Sequence, residues 1–292
     1  VADRRTRISS PRLELEELRQ IGDLVKNFCG IKVADDAREA VERRLSERLD
    51  ELKLASFAEY HRYMRENANG RSEIERASEL LATNETYFFR ELPQLRAFER
   101  EVLPELAKLT QIRKTLTIWS AGCSTGEEVY TLAILIVRSG LFPDHNVRVF
   151  GNDISRRVLL TARKGLYRSG SFRAMPKEYD QHFIKTPEGR VVEPAIRALC
   201  HFGHFNVLDA SRAAVVGRVD AIFCRNVLIY FDDEARRKAI AAFYERLHSG
   251  GYLMLGHSES LLSSVTSFQP QQLSGDLVYR KSLLASARPR SR

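Results

Sequence analysis

The chain has 292 residues, 43% of them apolar, which suffices for one large domain, a smaller companion and a buried core. No run approaches the roughly 18 to 20 apolar residues of a membrane span, and the opening "VADRRTRISS" lacks a signal-peptide core; both predict a cytoplasmic protein without direct membrane insertion. A net charge of +8 predicts an acidic partner of unspecified kind, while Cys29, Cys123, Cys200 and Cys224, with no Cys-x-x-Cys spacing, argue against a disulfide framework or a structural zinc site.

Residues 12 to 82 read as a small all-helical domain. Leu15, Leu18, Ile21 and Val25 stripe a first helix that Gly30 can close. Val41, Leu45, Leu49 and Leu52 stripe a second, with Asp35 or Asp36 as cap. Ser56 with Glu59, and Ser72 with Glu75, fit capping boxes for two more. Residues 83 to 114 read as a linker and an interdomain helix through Leu95, Phe98, Val102 and Leu106.

From residue 115 to 284 the pattern changes to β-rich runs alternating with helices: "TLTIWSA", "GEEVYTLAILIVRSG", "VRVFGNDI", "SRRVLLTARKGLY", "VDAIFCRN", "DDEARRKAIAAFYERLHSGG" and "YLMLGHS". That alternation predicts an α/β domain with a parallel sheet and a ligand at the carboxyl ends of its strands. The rhythm breaks between Tyr167 and Asn206, predicting an insertion at about 168–205 with short strands of its own. Residues 285–292 read as a disordered basic tail.

"AGCSTGEE" (121–128) places small residues where a ligand approaches backbone, then two acids in the first turn of a helix. A triphosphate loop needs Gly-Lys-Ser/Thr here, and a dinucleotide loop needs uncluttered helix N–H groups. Glu127 and Glu128 oppose both; either they cap the helix dipole or they meet a ligand with positive charge and no phosphate. Asp153, ending "VFGND", is either a turn former or cap for the helix starting at Ser155, or the acceptor of two ribose hydroxyls. S-adenosyl-L-methionine has a ribose, a sulfonium, an amino group and no phosphate, and is the cofactor these acids together ask for.

With "TNETYFFRE" (83–91), "FNVLD" (205–209), "FCRNVLIYFD" (223–232) and "GYLMLGHSESL" (251–261) in order around these segments, the chain resembles the chemotaxis receptor methyltransferases, the CheR family. The resemblance implies a class I S-adenosylmethionine-dependent methyltransferase (Rossmann-like) domain with an inserted small antiparallel β-subdomain, preceded by a small all-α domain. It implies a protein-glutamate O-methyltransferase forming glutamate methyl esters on the cytoplasmic methylation helices of chemoreceptors, with S-adenosyl-L-homocysteine as second product. By the same resemblance, Asn84, Thr86 and Arg90 contact the cofactor, Glu128 meets its methionine portion, and Asp153 its ribose. Asn206, Val207, Asn226 and Val227 line adenine and sulfonium. Helix capping by Thr83 or Asn84, and interdomain packing of Tyr87, Phe88 and Phe89, are the plainer readings of the first segment.

A carboxylate substrate is already ionised at pH 7, so no general base is needed, and positioning falls to Arg90 and Tyr230. Arg225 is either a second basic contact or an ion pair supporting its loop. His201, His204 and His257 read as structural rather than as metal ligands, and Cys123 as no nucleophile. Arg38, Arg43, Arg44 and Arg48 on the second helix form either a solvated face or, by the resemblance, a receptor-docking surface. By the same resemblance, the turn in "FIKTPEGRVV", shorter than in members that grip a receptor's tether peptide, implies no dependence on a tether pentapeptide. An RNA or DNA methyltransferase is the alternative the basic charge allows, but "RNVLIY" stands where amino-group enzymes place Asp/Asn-Pro-Pro-aromatic. A noncatalytic module of the same fold is the third reading.

Overall fold

The computed structural model describes residues 11–262 and 266–283, so the basic stretches at both ends lie outside the described residues. The chain divides into two compact units, residues 1–83 and 84–292.

The first unit holds α1 (Leu15–Cys29), α2 (Arg38–Leu52), α3 (Phe57–Glu66) and α4 (Gly70–Leu81). Its core joins Leu18, Ile21 and Val25 to Val41, Leu45, Leu49, Phe57, Tyr60 and Met64, all buried. Gly30 ends α1 in the left-handed conformation, and the Ser56 hydroxyl accepts the Glu59 N–H at the start of α3. Two expected caps differ. Asp35 and Asp36 open a 3₁₀ turn ahead of α2, and Asp35 pairs with Arg19 at 2.7 Å instead of capping. Helix α4 starts at Gly70, so Ser72 lies inside it; a Cβ at Gly70 would come 2.3 Å from the Met64 carbonyl, and the tight α3–α4 corner rather than a capping box sets the boundary.

In the second unit, residues 84–91 form an extended segment and a turn, followed by α5 (Leu92–Ala97), a π-helical turn (Phe98–Val102) and α6 (Leu103–Thr110). These residues are part of this unit rather than a linker. Phe98 meets Phe223 edge-on at 5.0 Å, and the Gln94 amide donates to the Leu255 carbonyl at 2.7 Å.

The sheet begins with β1 (Thr115–Ala121), followed by α7 (Glu127–Ser139), β2 (Asn146–Asp153) and α8 (Arg156–Lys164). The insertion contributes β3 (Leu166–Tyr167), β4 (Phe183–Thr186) and β5 (Gly189–Val192), paired antiparallel in the order β3-β5-β4. After the single turn α9 (Pro194–Arg197) comes β6 (Cys200–His204), which does not belong to the insertion as expected. It pairs parallel with β2, from Val149↔Cys200 to Asp153↔His204, and forms one edge of the main sheet.

The short α10 (Ala210–Ala213), β7 (Val219–Cys224), α11 (Asp233–Arg246), β8 (Leu247–Leu255), β9 (Gln269–Gln272) and β10 (Leu277–Arg280) complete the chain. The seven-stranded order is β6-β2-β1-β7-β8-β10-β9, parallel except that β10 runs antiparallel to both its neighbours. Every residue of β7 is buried, as a central parallel strand covered on both faces requires. Chain order reverses direction at β1, between β2 and β7, and the crevice beyond the carboxyl ends of these strands is where a doubly wound sheet receives its ligand.

Candidate active site

The loop after β1 is built by close approach. Gly122, Ser124 and Gly126 all have positive φ. A Cβ on Gly122 would lie 2.6 Å from the Val227 side chain, and one on Gly126 would lie 2.8 Å from Ala162. The Asn152 carbonyl accepts from the N–H groups of Gly122 and Cys123 at 2.9 and 2.8 Å. The Asn152 side chain takes the Trp119 indole N–H at 2.7 Å and donates to the Phe205 carbonyl at 3.0 Å. Asn152 therefore fastens three strand ends together. Sequence reasoning missed it, although a polar residue one step before the strand's terminal acid is the available signal.

Asp153 is buried, with Oδ2 accepting from Ser124 N at 2.8 Å and Oδ1 from Ser155 N at 2.9 Å. Ser155, not Asp153, caps α8. Burial raises the Asp153 carboxyl above its ordinary range, opposed by the backbone N–H groups of Ser155, Ser124 and Ile154. Each of its oxygens retains acceptor capacity, since an ionised carboxylate has about four lone-pair sites.

The two glutamates separate cleanly. Glu127 is 2% exposed, takes the Thr125 hydroxyl at 2.6 Å and the Ser171 hydroxyl at 2.9 Å, and links the loop to the insertion. Burial raises its carboxyl. Glu128 accepts from the Ser120 hydroxyl at 2.8 Å and from Arg225 Nη1 at 3.2 Å. Burial raises it as well, against the opposing charge of Arg225.

Arg225 takes the second of its two readings, the supporting ion pair. Its side chain is 2% exposed; Nη2 donates to the Arg90 carbonyl at 2.6 Å and to Glu91 at 3.1 Å. Burial works against ionisation of Glu91 too, but the charge and hydrogen bond of Arg225, with His257 and Asn226 behind them, hold Glu91 below its usual range. One guanidinium is thus shared by two acids, and Glu91 receives more of its benefit.

Arg225 also braces the segment 84–91. Phe89 and Glu91 both hold positive φ without being glycine, a strained turn that needs outside support. Phe88 packs against Tyr167, Phe172 and Phe183 with centroids at 4.8 to 5.1 Å, and Phe89 stacks on Tyr179 at 3.9 Å. These two rings are core residues of the second unit, not the interdomain packing expected. Neither Thr83 nor Asn84 caps a helix, because α5 begins only at Leu92. The Asn84 carbonyl accepts from the Ser124 hydroxyl at 3.0 Å, Thr86 is half-buried, and Arg90 donates to the Glu85 carbonyl at 2.9 Å beside the Tyr87 ring.

On the other side, Asn206 follows β6 with its amide oxygen accepting Leu208 N at 2.9 Å, and Val207 is buried. Asn226, at φ 59°, and Val227 follow β7, and Tyr230 ends the 3₁₀ turn Leu228–Tyr230, half-buried. Ser124 links the Asn84 carbonyl to Asp153, Arg225 links the Arg90 carbonyl to Glu128, and Gly122 lies against Val227, so these candidates gather around the loop after β1.

Several remaining candidates have partners within the fold. Burial, with Asp153 and Glu128 behind it, raises the Cys123 thiol well above its ordinary value, so it is no thiolate nucleophile. His204 Nε2 lies 2.8 Å from the Ile154 carbonyl. In the first unit, Arg48 is engaged within the domain: it pairs with Glu73 at 2.6 Å, and Glu73 also accepts the buried Tyr60 hydroxyl at 2.7 Å. Arg44 bonds the Leu81 carbonyl at the end of α4 at 3.0 Å, and Arg38 the Leu13 carbonyl at 3.4 Å. Arg43 is exposed.

The crevice presents buried acids, and Arg225, the one buried arginine or lysine among the described residues, is already shared by Glu91 and Glu128. That set of acceptors rejects phosphate and fits the ammonium and ribose hydroxyl donors of S-adenosylmethionine. Fold and site together define a class I S-adenosylmethionine-dependent methyltransferase. Residues 84–275 match the family model described as CheR methyltransferase, SAM binding domain, and residues 16–81 the one described as CheR methyltransferase, all-alpha domain; the chain belongs to the CheR methyltransferase family. It is 34% identical over 236 residues to chemotaxis protein methyltransferase 2 of Vibrio cholerae, covering 80% of this chain and 81% of that protein. It is 36% identical over 258 residues to chemotaxis protein methyltransferase 2 of Pseudomonas aeruginosa, covering 85% and 87%. Similarity to the solved RNA methyltransferase of Salinibacter ruber is low, with a TM-score of 0.34 at 15% identity over 66% of this chain and 95% of that one, and carries no argument about substrate.

Proposed function

We propose that the protein transfers a methyl group from S-adenosylmethionine to glutamate side chains on the cytoplasmic methylation helices of chemoreceptors, working in the cytoplasm. The carrying observation is the acid-lined switch point, in which Glu128 and Asp153 stand beside a loop without phosphate-binding features. The relatives named chemotaxis protein methyltransferase support the receptor as substrate. The sequence reading already favours a carboxylate acceptor over nucleic acid. Among the described residues no helix is long and apolar enough to cross a membrane.

Bound S-adenosylmethionine supplies a methyl made electrophilic by its sulfonium. Glu128 holds the cofactor's amino group, Asp153 its ribose, and Asn84, Thr86, Asn206, Val207, Asn226 and Val227 border the rest. The attacking glutamate needs no proton removed, since its ordinary pKa is about 4.3. Arg90 pairs with that carboxylate and Tyr230 orients one of its oxygens, so catalysis comes from alignment and exclusion of water. The hairpin β4–β5 closes with Thr186 opposite Gly189, a short turn in keeping with independence from a tether pentapeptide.

Incubation with radiolabelled S-adenosylmethionine and chemoreceptor-containing membranes, followed by mild base, tests this. A glutamyl methyl ester releases volatile methanol. Base-stable label would indicate N-methylation and overturn the assignment, and absence of label would indicate an inert module.

A further inference from the structure

The segment carrying Asn226, Val227 and Tyr230 leaves β7 in a conformation that no regular ladder satisfies, because Asn226 is left-handed and a 3₁₀ turn follows at once. Its backbone N–H groups need acceptors from elsewhere. One side chain provides them. Glu259 Oε2 accepts from Asn226 N at 2.8 Å and Gly256 N at 2.8 Å, while Oε1 accepts from Val227 N at 3.0 Å and Ile229 N at 3.2 Å. An ionised carboxylate has about four lone-pair sites, so these bonds saturate it, and Glu259 has nothing left to offer a ligand.

The clasp is itself anchored. Glu259 N donates to the Gly256 carbonyl at 2.9 Å, and the next residues are held by β10, where the Tyr279 hydroxyl lies 2.8 Å from Leu261 N and 3.2 Å from Ser260 Oγ. Gly256 has no room for a side chain: a Cβ there would come 2.9 Å from Asn226 N and 3.0 Å from Glu259 Oε2. The carboxylate therefore couples the end of β8 to the end of β7 at fixed spacing.

We infer that Glu259 is a positioning residue, which sets the Asn226–Tyr230 segment in place so that Asn226 and Val227 meet the cofactor and Tyr230 meets the substrate carboxylate. The inference rests on the proposed reading of that segment as cofactor wall and substrate guide. It assigns Glu259 of the "GHSES" stretch a task performed on the neighbouring backbone rather than on the ligand.

Glu259→Gln tests it, because the amide keeps one acceptor oxygen and turns an N–H₂ against N–H groups. S-adenosylhomocysteine affinity, measured by calorimetry well below the melting temperature, should fall about tenfold or more, with turnover on receptor membranes falling further. Gly256→Ala, which disturbs the same spacing without altering charge, should shift both in the same direction. Val278→Ala in the buried part of β10 serves as a destabilised control. Near wild-type affinity and turnover in Glu259→Gln would overturn the inference, as would equal losses in Val278→Ala at a comparable fall in melting temperature. Since the calorimetric arm needs no receptor, failure of wild-type protein to label receptors would count against the proposed function alone.

Discussion

Arg225 and Glu128 meet at 3.2 Å beneath the cofactor loop, and the same guanidinium reaches Glu91 at 3.1 Å and the Arg90 carbonyl at 2.6 Å. The residue that holds the proposed cofactor acid in place thus also holds the turn bearing the proposed substrate-guiding arginine. Removing the arginine strands two carboxylates in a site of low exposure. Arg225→Ala should cost about 3 to 5 kcal/mol of stability, the range for breaking a buried ion pair. Urea unfolding of the isolated chain measures this, and a loss below about 1 kcal/mol, typical of an exposed pair, would contradict it.

Glu127 and Glu128 should part company on substitution. Glu128→Gln should weaken S-adenosylhomocysteine binding about ten- to hundredfold, the worth of a charge-assisted contact. Glu127→Gln, whose acid serves Thr125 and Ser171, should leave affinity within about threefold while lowering the melting temperature. Equal losses of affinity would erase the distinction.

Protonation supplies a third test. Burial raises Glu128 above its ordinary 4.5 and Asp153 above 3.8, so between those values and their folded values the native chain binds more protons than the unfolded one. Their contribution to stability therefore falls as pH rises through that window. A cationic cofactor favours the ionised acids, so its affinity should rise with pH over the same window and its binding should release protons. Calorimetry in buffers of different ionisation heat counts them. Glu128→Gln should diminish the count, and an unchanged count would locate the protons elsewhere.

Arg90→Ala and Tyr230→Phe should act on turnover more than on cofactor affinity. For Arg90→Ala, kcat on receptor membranes should fall about a hundredfold, the worth of a bidentate charge-assisted pair. S-adenosylhomocysteine affinity should change less than kcat does. Wild-type turnover in Arg90→Ala would remove it from the mechanism.

In the first unit, Arg48→Ala should destabilise strongly, leaving Glu73 unpaired among buried groups, whereas Arg43→Glu should change stability by no more than about 0.5 kcal/mol. If the exposed face of α2 docks on acidic receptor helices, Arg43→Glu should also raise KM for receptor and reduce its salt dependence. Steady-state assays at low and high salt read the difference.

How legible all this is in the sequence depends on range. β1, α7 and the placement of Glu128 are readable because a strand, a glycine loop and a helix start follow one another within a few residues, and Asp153 because it closes the next β-rich run. Strand β6 is not, since "CHFGH" offers only Cys200 and Phe202 as apolar positions and only its pairing with β2 makes it a strand of the main sheet. Arg48 looks like a surface arginine until Glu73, on another helix, is brought to it. Arg225 with Glu91, and Glu259 with Asn226, are likewise products of the fold, and a carboxylate whose partners are backbone N–H groups leaves no compositional trace of them.

The insertion is stitched to the cofactor loop at two points: the Tyr167 hydroxyl donates to the Thr125 carbonyl at 2.6 Å, and the Ser171 hydroxyl to Glu127 at 2.9 Å. It is therefore not an interchangeable handle. A chimera that takes this stretch from a relative to redirect recognition would also rewrite the support of the loop proposed to bear the cofactor, unless the graft starts beyond Phe172 and keeps the host's tyrosine and serine.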